Sequence, residues 1–182
     1  MIELREHGRI EEATAGVVTG YAITYNSESL PIPTKRGSFI EVIERGAFDE
    51  SIANAENISL LWNHDQQAMP LATTRAGTLE LVSDSIGVRF TANIAETRQG
   101  EDYLTLLERG DLTGAMSFGF LVPPGGDEFN RDRSRRTITR GQLIEISAVD
   151  RGAYPASTSD KKEKKKRAAA LIQLGKIRNA IR

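Results

Sequence analysis

Residues 115–122 alternate in character. Met116, Phe118, Phe120 and Val122 fall on one side of an extended chain, and Ala115, Ser117, Gly119 and Leu121 on the other, because successive side chains of a strand point to opposite faces. The first set predicts a core face. The second carries little bulk around Ser117, and Gly119 predicts a place where another backbone approaches closely. Residues 143–149 read the same way: Ile144, Ile146 and Ala148 predict the core face, while Glu145 and Ser147 share the opposite one with Leu143 and Val149.

Further strands follow from composition and alternation. Residues 15–26 are rich in β-branched and aromatic side chains, residues 39–44 alternate Phe39, Glu41 and Ile43 against Ile40, Val42 and Glu44, and residues 58–63 are an apolar run containing Trp62. Residues 78–83 and 86–94 predict a hairpin joined through Asp84 and Ser85, with Gly87 near the turn. Two segments change to a helical period. In 46–54, Phe48 and Ile52 lie four apart; in 99–109, Tyr103, Leu106 and Leu107 share a face and Gly110 supplies a C-terminal stop. Pro31 and Pro33 mark residues 25–37 as a loop, and Pro-Pro-Gly-Gly opens a second loop over 123–136. About seven short strands with two helices predict a mainly β fold: a single closed or nearly closed barrel, since closure removes exposed strand edges.

Charge divides the chain in two. Residues 157–182 carry nine Lys or Arg against Asp160 and Glu163, a net of +7, which leaves −8 for the rest of a chain whose total is −1. The expected organisation is a barrel domain over 1–156 and a basic tail over 157–182, helical or disordered. Leu171, Leu174, Ile177 and Ile181 recur there at helical spacing. The lysine run of the tail reads either as a nucleic-acid contact or as a solvated linker; the acidic body and the few aromatics argue against nucleic acid as a partner.

Composition shortens the chemical menu. There is no cysteine, so disulfides, thiolate zinc sites and a cysteine nucleophile are excluded, and the two histidines, His7 and His64, are too few for a multi-histidine metal site. Neither metal nor cofactor is expected. No apolar run approaches the roughly 18 residues of a membrane span, and the first residues lack a leader's basic start and apolar stretch, so the protein is expected to act inside a cell without membrane contact.

Three residues stand out against that menu. Ser117 lies on the small face of its strand, which suits either a nucleophile or a simple filler. His64 ends the run Leu60-Leu61-Trp62-Asn63-His64-Asp65; it is either a surface or capping histidine or the base that a serine needs, since imidazole titrates near neutrality. Glu145 is a carboxylate between two isoleucines in a strand. It suits a hydrogen bond to the imidazole or a cross-strand pair with Arg135, Arg136 or Arg140, and Asp65 and Asp150 are rival orienters of the histidine.

Five passages resemble the caudoviral prohead serine proteases, which are similar in fold to the herpesvirus assemblins: Gly20-Tyr21-Ala22 with Tyr25; residues 39–48 (FIEVIERGAF); Leu61-Trp62-Asn63-His64-Asp65; Gly114-Ala115-Met116-Ser117-Phe118-Gly119-Phe120; and residues 143–155 with Glu145-Ile146-Ser147. Together they run from about Gly16 to Ala156. The resemblance implies a helix-wrapped barrel of about seven strands with Ser117 as nucleophile, His64 as general base and Glu145 as third member. The assemblins use a second histidine in that third place, and this chain has none after His64. By the same resemblance, backbone N–H groups of Arg151 and Gly152 are expected to hold the oxyanion. The implied substrates are the major capsid protein, scaffold and the protease itself, inside a procapsid assembled in the host cytoplasm or as a prophage-encoded cytoplasmic protein, and the assemblins' habit implies a homodimer. The alternative is a non-enzymatic assembly or scaffold protein on the same barrel. In that case Ser117 and His64 are expected to lie apart or point into the core.

Overall fold

A computed structural model describes residues 1–35 and 37–150. The predicted tail, the boundary at 156, Arg151 and Gly152 lie outside the described residues.

Twelve strands and two helices follow in chain order among the described residues: β1 (Glu3–Thr14), β2 (Val17–Thr24), β3 (Ile32–Thr34), β4 (Gly37–Ile43), α1 (Asp49–Asn54), β5 (Ser59–Trp62), β6 (Ala72–Thr73), β7 (Leu79–Ser83), β8 (Gly87–Asn93), α2 (Arg98–Arg109), β9 (Ala115–Leu121), β10 (Asp127–Phe129), β11 (Arg135–Ile138) and β12 (Gln142–Val149). Eight of the strands form one sheet in the order β6-β5-β12-β9-β1-β2-β8-β7. Its two ends meet where Thr78 N–H donates to the Thr73 carbonyl at 3.1 Å and Thr73 N–H to Thr78 Oγ1 at 2.9 Å, so the sheet is nearly closed as a barrel. A four-stranded sheet, β10-β11-β4-β3, stands beside it.

The core is the inner face of that barrel. Met116, Phe118 and Phe120 of β9 are buried as their alternation requires. Phe48 meets Phe118 and Phe120 edge-on, each at 5.7 Å between ring centroids, a geometry that aligns ring edges with the negative faces of their neighbours. The predicted helices form at the predicted places. Thr97 caps α2 by accepting from Gly100 N–H, and Gly110 ends it at φ 77°, a left-handed conformation that glycine adopts without a Cβ penalty. Tyr103 of α2 packs edge-on against Trp62 at 5.5 Å, bracing the end of β5.

Two differences from the sequence reading have clear physical origins. The first concerns β12. Leu143, not Ile144, joins the core, because the register against β9 slips between Leu143 and Glu145. The bulge inserts Ile144 as an extra residue, so side chains before it change face. The second is β1, together with β3, β10 and β11, which form within segments that carry no strand pattern. The inward residues of β1 near its start are Glu3 and Arg5, opposite Phe120 and Phe118. Their partners are the side chains of the second sheet. Arg136 donates to Glu3, Glu41 and Asp127, and Arg5 donates to Glu3 and Glu41. Burial works against both Glu3 and Arg136 as ions. The mutual hydrogen bonds and charges outweigh it, so the Glu3 carboxyl is held below its usual range and the Arg136 guanidinium above its own. A charged cluster thus joins the two sheets.

Candidate active site

Ser117 lies on the outer face of β9, opposite Glu6 of β1 on one side and Ser147 of β12 on the other. Its side chain is almost wholly buried, at 1% exposure. β5 runs parallel to β12 and ends level with it, Trp62 beside Ala148. The chain then turns sharply: Asn63 and His64 both take positive φ, 49° and 61°, a region that residues with a Cβ occupy sparsely. Asn63 holds the turn at both ends, its N–H donating to the Ala148 carbonyl at 2.9 Å and its Oδ1 accepting from Asp150 N–H at 3.0 Å. The turn carries the imidazole back over the sheet.

The result is a chain of short hydrogen bonds. His64 Nε2 lies 2.8 Å from Ser117 Oγ, and His64 Nδ1 lies 2.6 Å from Glu145 Oε1. An ionised carboxylate only accepts, so the Nδ1 proton faces Glu145 and the Nε2 lone pair faces the serine hydroxyl. The Arg5 carbonyl, 2.9 Å from Ser117 Oγ, competes with Nε2 for the single hydroxyl proton. Glu145 is 3% exposed, and its second oxygen accepts from Ser147 Oγ at 2.6 Å.

Ser117, His64 and Glu145 are therefore brought together. Among the alternatives, Arg135 pairs with Glu28, Arg136 with the inter-sheet cluster, and Arg140 with the Pro124 carbonyl; Glu145 is on His64 instead. Asp65 caps its own turn by accepting from Gln67 and Ala68 N–H, and Asp150 meets Asn63 through its main chain. His7, the other imidazole, sits in β1, where burial pushes its pKa down. The Gly119 expectation needs correction: the space above it is filled by a side chain, not a backbone. A Cβ there would stand 2.6 Å from Glu145 Oε1.

Sequence reading assigned no role to Asn63 or Ser147. Ser147 was visible as the residue two positions from Glu145 on the same strand face, but only the fold shows what it bonds. The scaffold alternative expected Ser117 and His64 to lie apart or to point into the core; they are within hydrogen-bond distance, on the face of β9 opposite the core residues Met116 and Phe118.

Comparison with known proteins bears on the fold and the family. No protein of curated function matches the chain in sequence. Among solved structures, the capsid assembly protease of bacteriophage T4 is similar, with a TM-score of 0.55 and 9% identity over 83% of this chain and 98% of that one; at such identity the likeness speaks for the fold. The family described as caudovirus prohead serine protease matches residues 2–170. With that match running over nearly its whole length, the chain belongs to the caudovirus prohead serine proteases.

Proposed function

We propose that Ser117 is the nucleophile, His64 its general base and acid, and Glu145 the carboxylate that orients the imidazole. The single observation that carries this reading is the continuous path Ser117 Oγ, His64 Nε2, His64 Nδ1, Glu145 Oε1, with links of 2.8 and 2.6 Å on either side of the ring. As Ser117 Oγ bonds to the scissile carbonyl carbon, its proton passes to Nε2, and the buried carboxylate stabilises the imidazolium. His64 then gives that proton to the departing amine. Water, deprotonated by the same nitrogen, then bonds to the acyl carbon, and the proton returns to Ser117 Oγ as its bond to that carbon breaks. Main-chain N–H groups of Arg151 and Gly152, the second and third residues after β12 in the sequence, are the proposed oxyanion donors.

The proposed substrates are scaffold or a scaffold-like segment of the major capsid protein, and the protease itself, cut inside the procapsid. A fluorophosphonate, which phosphonylates activated serines, tests the site in the full-length protein co-assembled with its capsid protein. The expected product is one adduct, on Ser117, lost in His64→Ala. Labelling of another serine alone, or cleavage of capsid protein with no Ser117 adduct, would sink the assignment.

Gly119 supplies a second check. Gly119→Ala puts a methyl carbon 2.6 Å from Glu145 Oε1, closer than such atoms approach, so the carboxylate must shift from its place beside Nδ1. The expected outcome is a fall in kcat of about a hundredfold with KM little changed, the cost of misplacing a catalytic group by about 1 Å. Unchanged kcat in steady-state peptide cleavage would show that Glu145 does not orient the base.

A further inference from the structure

We propose that Ser147 is a positioning residue that locks the acid and the base together through a hydrogen-bond circuit beginning and ending on His64. This rests on the Ser117, His64 and Glu145 reading. The His64 main-chain N–H donates to Ser147 Oγ at 3.2 Å, Ser147 Oγ donates to Glu145 Oε2 at 2.6 Å, and Glu145 Oε1 faces His64 Nδ1 at 2.6 Å. The ring of contacts therefore ties the imidazole to its own backbone by way of two residues of β12.

Three features give the circuit its function. Ser147 is fully buried, so water does not compete for its hydroxyl, and both bonds are made in a site of low polarity where they are strong. Glu145 and Ser147 stand two apart on one strand, so the hydroxyl reaches the carboxylate without a loop that could relax. His64 sits at φ 61°, a conformation that persists only when its surroundings over-determine it, and the bond from its N–H to Ser147 is one of the restraints. Without that hydroxyl, Glu145 keeps one partner for two buried oxygens and is free to rotate, and the turn that carries His64 loses an anchor. A serine placed only for packing would not bond to both the carboxylate and the base.

A double-mutant cycle with Glu145→Gln on the full chain separates the two roles. Steady-state cleavage of a peptide spanning a cut site is measured for Ser147→Ala, Glu145→Gln and the pair. Ser147→Ala alone should lower kcat roughly thirtyfold with KM nearly constant, in the range for a displaced catalytic group. In the Glu145→Gln background the same change should lower kcat less than about threefold, because the group it positions is already compromised. Alongside, the low-field proton resonance of His64 Nδ1, recorded in the Ser117→Ala protein to prevent autolysis, should shift or broaden when Ser147 becomes Ala. Equal losses in both backgrounds, or an unmoved resonance, overturn the positioning role while leaving the Ser117 mechanism intact. A Glu145→Gln enzyme as fast as wild type overturns the triad reading, and this inference with it.

Discussion

Ser117→Ala is expected to lower kcat/KM for peptide cleavage by about a millionfold, because the residual catalysis of a hydrolase without its nucleophile comes only from binding and oxyanion contacts. Alanine fits the site: Ser117 is buried on the small face of β9, and the change removes one oxygen without adding volume. Two contacts go with it, to His64 Nε2 and the Arg5 carbonyl. That loss costs on the order of 1 kcal/mol, too little to unfold a domain with a core of this size. Loss of activity and retention of fold should therefore separate cleanly. Particles assembled with the variant should hold capsid and scaffold chains at their full masses, and wild-type particles should hold shortened ones. Cleavage within tenfold of wild type would mean that another residue attacks the peptide bond.

The largest expected effect on stability is at Arg136. Its guanidinium bonds to Glu3, Glu41 and Asp127, and Glu41 is 2% exposed. Arg136→Ala leaves Glu3 and Glu41 with Arg5 as their remaining partner and takes from Asp127 its bond to the cluster. Breaking a buried ion pair by removing one member leaves uncompensated charge and costs about 3–5 kcal/mol. The loss should also depend on pH, in a direction fixed by Glu3. Its pKa is lowered in the folded state, so its contribution is present above its ordinary value of 4.5 and fades as pH falls through the folded value. The pKa of Arg136 is raised, so its own contribution is lost only under strongly alkaline conditions. Urea melts of wild type and variant should thus differ most at pH 6–8 and converge below the ordinary carboxylate range. A difference below about 1 kcal/mol at neutral pH would show that the cluster is solvated and structurally idle.

The site was more legible than the frame around it. The alternation of β9 put Ser117 on the face opposite Phe118, and the apolar run of β5 ended at His64; both are local patterns that the fold preserves. β12 was half legible. Glu145 and Ser147 were correctly placed together, but the bulge at Ile144 reversed the part of the strand before them, and a one-residue insertion leaves no mark in an alternating pattern. β1 is not legible in the sequence because its inward positions are charged at one end. Hydrophobic periodicity cannot register a strand whose buried face is neutralised by arginine and glutamate from a second sheet.

Sequence alone thus determined which residue types were available: one serine on a bare strand face, one histidine at a strand end, one glutamate in an apolar strand, and no cysteine. These follow from composition and from side-chain geometry within single strands. Tertiary structure alone decided that they meet. The contacts join residues 53 and 81 positions apart in the chain, across a register set by strand pairing and a turn of two left-handed residues. It also chose Glu145 over Asp65 and Asp150, because only Glu145 projects from the strand beside β9 into the space that Gly119 leaves open.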